Sequence, residues 1–200
     1  MNLRLDADGK TRVVAERAKL DSDQAATLFR NTVLPHLADG LALARWLAGD
    51  ATDAEDIVQE AAMKALRGID TFEGSNARAW LLAIVRNTTF SWLAKHRPKA
   101  LVMVGGLAEI DETTYSAEAG SGPIPDTPEA ALIRRADTAL VEAAIAQLPL
   151  PFREIVVFRD INELSYRDIA AMLNVPIGTV MSRLSRARAR LASIIAEKDS

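Results

Sequence analysis

The chain has 200 residues, no cysteine, and 27 acidic against 24 basic side chains, a formal net charge of −3. Without cysteine it cannot form disulfides, cysteine-type zinc sites or a thiol redox sensor. The small negative charge excludes only a uniformly basic nucleic-acid coat, because binding follows local potential rather than the total. Apolar residues make up 49% with few aromatics, which suits a mostly helical chain of one large or two small domains. Near Met1 the charges Arg4, Asp6, Asp8 and Lys10 interrupt any signal-peptide pattern, and the longest apolar run, Trp80 to Val85, is too short to span a bilayer. A soluble, cytoplasmic chain with no membrane insertion is expected.

Residues 1–23 read as a polar, partly ordered extension. From residue 24 to 97 apolar positions recur at helical spacing, and this stretch is expected to be the first domain. Leu28, Val33, Leu37, Leu41 and Ala44 mark one helix or a helix pair interrupted near Pro35. "GDATDAEDIVQEAAMKALRGID" is a clearer helix, with Thr52 or Asp53 as cap, acids in its first turns and Lys64 and Arg67 in its last. Ile57, Val58, Ala61, Ala62, Ala65 and Leu66 form its expected buried face, opposite Asp53, Asp56, Glu60 and Lys64. "TFEGSNARAWLLAIVRNTTFSWLAKHR" gives a Gly-Ser-Asn loop and then a helix built on Trp80, Leu81, Ile84, Val85 and Trp92. Residues 98–128 hold Gly-Gly and "AGSGPIPDTP" with no sustained period, and are expected to be a flexible linker. Helical pattern resumes near Pro128, so 129–196 is expected to be a second helical domain. The fold class is all-α, two helical domains on a tether.

Charge is segregated along this frame. Asp50 to Glu60 holds five acids and no base, whereas Trp80 to Lys99 carries Arg86, Lys95, Arg97 and Lys99 with no acid. Pro176 to Ile195 carries Arg183, Arg186, Arg188 and Arg190, again with no acid. "SYRDIAAMLNVPIGTVMSRLSRARARL" contains two helical patterns joined at Asn174-Val175-Pro176. Ser165 with Asp168 forms a capping-box-like start, Asn174 tolerates the left-handed conformation that ends a helix, and Pro176 suits the opening turn of the next. In that next helix Val180, Leu184, Ala187, Leu191 and Ile194 form one apolar stripe, while Thr179, Ser182, Arg183, Arg186 and Arg190 lie on other faces. The pattern fits an αα-hairpin with solvated arginines, and equally a helix-turn-helix whose second helix enters the major groove. The absence of any acid favours DNA, since solvated helices usually mix signs.

These residues resemble a known family. "LPLPFREIVVFRDINELSYRDIAAMLNVPIGTVMSRLSRARARL" resembles region 4 of the extracytoplasmic-function (ECF) group of the sigma-70 family. "GDATDAEDIVQEAAMKALRGIDTFEGSNARAWLLAIVRNTTF" resembles region 2 of the same group, and the two occur in the family's order. The resemblance implies a non-enzymatic factor without cofactor or metal that binds RNA polymerase core and directs it to promoters. Asp53, Asp56, Gln59 and Glu60 match the helix that docks on the polymerase clamp; from the residues alone, acids that only complement the helix dipole are the preferred reading. Gly74, Ser75, Asn76, Arg86, Asn87, Lys95 and Arg97 match the part that reads the −10 element, where a melted strand needs a base pocket and cations along its backbone. Asn87 by itself is equally a structural hydrogen-bonder, Trp80 suits the core better than a stacking platform, and Trp92 suits either.

Pro176, Gly178, Thr179, Ser182, Arg183 and Arg186 match the −35-reading surface, with Arg188 and Arg190 placed for phosphates or the polymerase flap. Met181 stands where the family often has a basic residue, and Ser185 where it often has a larger one, which leaves the −35 preference open. An anti-sigma factor is a further implied partner. Two other readings compete: a helix-turn-helix regulator, which leaves the "DAEDIVQE" helix unexplained, and a sigma mimic, which has no need of DNA-facing arginines. An enzyme is weakest, since His36 and His96 are far apart in sequence and no phosphate loop or metal spacing occurs.

Overall fold

A computed structural model describes residues 3–5, 11–13, 20–74, 76–98 and 139–198. Leu3–Leu5 (β1) and Thr11–Val13 (β2) pair antiparallel, Arg4 opposite Arg12, within the expected polar extension. Everything else with regular structure among the described residues is helical. The expected linker beyond Pro98, and the start of the second domain up to residue 138, lie outside the described residues.

The first helical group is α1 (Ser22–Thr32), α2 (Leu37–Ala48), α3 (Ala51–Arg67) and α4 (Ala77–His96). Asp21 opens α1 with a full capping box, accepting from the Gln24 amide while Gln24 returns a bond to the Asp21 amide. Pro35 sits in a 3₁₀ turn (Leu34–His36), which resolves the interrupted pattern into a helix pair. The cap of α3 is Asp50, whose carboxylate accepts from the Thr52 and Asp53 amides at 2.9 and 3.0 Å. Thr52 and Asp53, the expected caps, are already inside the helix. The shift follows from Gly49, which ends α2 in the left-handed region at φ 73° and frees Asp50 for the extended cap conformation. Asp50→Ala should therefore cost about 1 kcal/mol of stability, read as a lower urea midpoint. Thr52→Ala should leave the midpoint unchanged.

These helices bury Leu43, Ala44 and Leu47 from α2, Ala54, Ile57, Ala61 and Ala65 from α3, and Leu81, Leu82, Val85 and Leu93 from α4. Val58, Ala62 and Leu66, expected on the same α3 face, are half-buried at its margins. The small residues of α3 let its neighbours approach closely. Gly40 does the same for α2 and α4, since a Cβ there would stand 3.2 Å from Val85 Cγ2.

The second group is α5, described over 139–147, then α6 (Leu150–Val156), α7 (Tyr166–Leu173) and α8 (Ile177–Lys198). Helix α6 runs into a π-helical turn, Val157–Ile161, which Asn162 closes by donating from its amide and its side chain to the Val157 carbonyl at 2.9 and 3.0 Å. The hairpin of α7 and α8 forms as its residues dictate. The Ser165 hydroxyl accepts from the Asp168 amide at 3.1 Å, and Asn174 ends α7 at φ 53°. Val180, Leu184 and Ala187 are buried against α6 and α7, and Leu191 and Ile194 pack beside them. The two helical groups share one continuous apolar core.

Candidate nucleic-acid interface

Helix α8 begins after Pro176 with its first turn open to solvent. Pro176, Gly178 and Ser182 are exposed, and a Cβ added at Gly178 would touch nothing. Thr179 is half-buried; the Ser182 hydroxyl donates to its carbonyl at 3.2 Å. Ile177 and Met181 expose large apolar side chains on this helix, Met181 to 53%.

The arginines are not equivalent. Arg186 is half-buried and makes only a long contact, 3.5 Å, with the Ser182 carbonyl. Arg183 lies 3.9 Å from Glu154. Arg188 is bound by Asp160 through both Nε and Nη2, a pairing that holds its guanidinium above its ordinary pKa. Arg190 is exposed.

The second basic segment is spread along α4. Gly74 is exposed with φ 83° in the preceding loop, and Ser75 lies outside the described residues. Asn76 caps α4, accepting from the Ala79 amide at 3.0 Å, while its Nδ2 reaches Asp168 of α7 at 3.4 Å. Arg86 donates from Nε to Glu154 at 2.9 Å and from Nη1 to the Asn87 side-chain oxygen at 3.1 Å, and stands over the Phe90 ring at 4.4 Å. Asn87 and Lys95 are exposed. Arg97 ties the end of α4 back to the bundle, through Asp53 at 2.7 Å and the Ala48 carbonyl at 3.2 Å. Trp80 packs against Phe72 with ring centres 5.4 Å apart, on the margin of the core. Trp92 is half-buried, with His96 stacked on it at 4.3 Å and Arg97 near its ring.

The acidic face of α3 is a separate surface. Asp56, Gln59 and Glu60 are exposed and, with Met63, Lys64 and Arg67, line a shallow open groove of about 430 Å³. Glu60 pairs with Lys64 at 2.7 Å. Asp53 stands apart from this set, mostly covered and held by Arg97.

Residue-by-residue reading missed a cluster in which the two helical groups meet. Glu154 is 3% exposed and carries Arg86 on one side and Arg183 on the other. Burial pushes its carboxyl above the ordinary range, against the pull first of Arg86 and then of Arg183. Arg78 bonds Asp39 at 2.6 Å and, across the junction, the Asn162 carbonyl at 2.5 Å. Arg153, lowered in pKa by burial, reaches the Trp46 carbonyl at 3.5 Å. The one available signal was Glu154 itself, a carboxylate inside the apolar run "FREIVVF".

Together these features define a two-part helical protein with a helix-turn-helix and an acidic helix on its other part. Known proteins narrow that class. The Sigma-70 region 2 family matches residues 32–98, and Sigma-70 region 4 matches 138–191. The chain is 36% identical over 142 residues to the RNA polymerase sigma-H factor of Pseudomonas aeruginosa, covering 70% of this chain and 71% of that one. It is 32% identical over 168 residues to the ECF RNA polymerase sigma factor EcfG of Rhodopseudomonas palustris, 84% of each chain. Among solved structures it is similar to the sigma factor RpoE of Bartonella quintana in complex with the anti-sigma factor NepR. There the TM-score is 0.61 at 31% identity, over 84% of this chain and 96% of that one. It is also similar to CnrH in complex with the cytosolic domain of CnrY, with TM-score 0.58 at 25% identity, over 90% of this chain and 99% of that one. The chain belongs to the sigma-70 family, in its extracytoplasmic-function group.

Proposed function

We propose that this ECF sigma factor binds RNA polymerase core through the exposed acidic face of α3 and reads promoter DNA at two points. Asp56, Gln59 and Glu60 meet the clamp, with Asp53 at their edge. Gly74, Ser75, Asn76, Arg86, Asn87, Lys95 and Arg97 serve the −10 element, and Pro176, Gly178, Thr179, Ser182, Arg183 and Arg186 the −35 element. Arg188 and Arg190 add charge for phosphates or the flap. The observation that carries this reading is the first turns of α8: solvent-open, acid-free and opening the second helix of a helix-turn-helix whose apolar stripe is buried. The chain acts in the cytoplasm without cofactor and catalyses no reaction itself; no helix among the described residues is long and apolar enough to cross a membrane. An anti-sigma factor is its regulatory partner, as the similar RpoE of Bartonella quintana is held by the anti-sigma factor NepR.

Arg186 tests the −35 assignment. A bidentate arginine–guanine contact discriminates by about 1–3 kcal/mol, roughly five- to hundred-and-fifty-fold. Arg186→Ala should flatten base preference at one or two positions of the −35 element by about that factor, measured by transcription from a library of promoter variants. Core binding should be unchanged. Loss of core binding with base preference intact would reassign that face. Met181→Ala should alter the preferred base without loss of core affinity, because an exposed apolar side chain in the groove can contact a thymine methyl.

A further inference from the structure

Along α3 the residues that line the open groove change sign in order. Asp56, Gln59 and Glu60 stand at its first end, Met63 in the middle with 48% of its surface exposed, and Lys64 and Arg67 at its last end. Their spacing of three and four residues puts them on one face of the helix. The helix dipole accounts for acids early and bases late, and Glu60 with Lys64 is an ordinary pair one turn apart. Neither accounts for a further contact. Lys64 Nζ also donates to Thr88 Oγ1 of α4 at 3.3 Å, and Thr88 is 1% exposed. An exposed lysine is thus held at two points, by a carboxylate of its own helix and by a buried hydroxyl of the next. Arg67, exposed beyond it, has no ion pair among the described residues.

We propose that this groove takes a polymerase helix of mixed charge in one orientation, with basic residues against Asp56 and Glu60 and a carboxylate about two turns away against Lys64 and Arg67. An apolar side chain of that helix meets Met63 between the two ends. Reversing the helix would set base against base and acid against acid, so the order of signs fixes its direction. Thr88 is the positioning residue for the basic end. A free lysine spreads over many rotamers, whereas the bond to Thr88 holds the Lys64 ammonium at the groove before a partner arrives. The partner's carboxylate then meets a cation already in place, and less freedom is lost on binding.

The inference rests on α3 as the core-binding helix, and the test separates the two. Affinity of the full chain, held by a terminal tag, is measured against core polymerase by biolayer interferometry. Lys64→Glu/Arg67→Glu should bind about ten-fold more weakly than the parent, because like charges then face each other across the contact. A surface that works by its acids alone would bind more tightly in this variant, which gains acids and loses bases. Arg30→Glu/Arg45→Glu, an equal charge change at exposed sites outside the groove, should keep parental affinity. Lys64→Gln/Arg67→Gln should also bind more weakly, and serves if the first variant loses helicity by circular dichroism. Thr88→Val should bind about three-fold more weakly, since an unheld lysine must be ordered on binding, and Thr88→Ser should restore the affinity. Parental or tighter binding by the folded Lys64/Arg67 variants, while Asp56→Lys/Glu60→Lys fails to bind, would overturn the two-sign groove. Parental binding by the Asp56/Glu60 variant as well would overturn the core-binding reading of α3 and this inference with it. Parental affinity in Thr88→Val, or a loss that Thr88→Ser does not restore, would overturn the positioning role.

Discussion

Replacing Asp56 and Glu60 together by lysine should lower the affinity for RNA polymerase core by about a hundred-fold or more, and promoter-directed transcription with it. Both carboxylates are exposed on one face of α3, beside Gln59 and an open groove, and neither contributes to the core. The double change therefore alters a surface while leaving Ala54, Ile57, Ala61 and Ala65 in place. Like charges brought together across an interface cost several kcal/mol, which is the origin of the large factor. Glu60→Lys also loses the pair with Lys64, a solvent-exposed contact worth only a few tenths of a kcal/mol. The variant should thus melt within a degree or two of the parent while failing to co-elute with core. A folded variant that still binds core with parental affinity would place the docking surface elsewhere.

The second large effect is expected at Arg86. Removing one partner of a buried ion pair leaves the other charge uncompensated, and Arg86→Ala should cost about 3 kcal/mol at neutral pH. Glu154 would keep only Arg183, at 3.9 Å. The pH dependence carries a definite sign. Burial already raises the Glu154 carboxyl above its ordinary range, and loss of Arg86 raises it further. A carboxyl raised on folding favours the folded state when it is protonated, so that stability is present below the unfolded value, about 4.3. It is lost as pH rises through the folded value. The deficit of Arg86→Ala relative to the parent should therefore be full near pH 7 and shrink as pH falls towards 5. Urea titrations at pH 7, 6 and 5 read this directly, and a deficit that grows with acidity would contradict the burial of Glu154.

How much of this was legible in the residues depends on the range of the interaction that decides it. The α7–α8 hairpin was legible almost to the residue, because Ser165, Asn174 and Pro176 each act on backbone within a few positions. The apolar stripe from Val180 to Ile194 also follows directly from helical period. The cap of α3 was missed by a few residues, because Gly49 ends α2 in a left-handed turn and hands the cap to Asp50. The paired strands at Leu3–Leu5 and Thr11–Val13 depend on pairing within a stretch whose pattern is weak. What no local pattern could carry is the meeting of the two halves. Arg86 and Glu154 are 68 residues apart in sequence, and Arg78 and Asn162 are 84 apart. The family resemblance implies DNA contact for Arg86 and Arg97, and the fold in addition pairs them with Glu154 and Asp53.

That engagement matters for how the candidate surfaces are weighed. Among the described residues Arg186, Asn87 and Lys95 carry no strong pairing to an acid, while Arg183 and Arg86 share one carboxylate. Whether the chain gives RNA polymerase core a promoter preference is read by adding the purified full chain to core polymerase and sequencing the 5′ ends of transcripts made from a genomic template. Initiation is expected at a set of sites sharing spaced −10 and −35 elements, dependent on the chain and lost with Asp56→Lys/Glu60→Lys. Transcripts that begin at the same sites with and without the chain would contradict it.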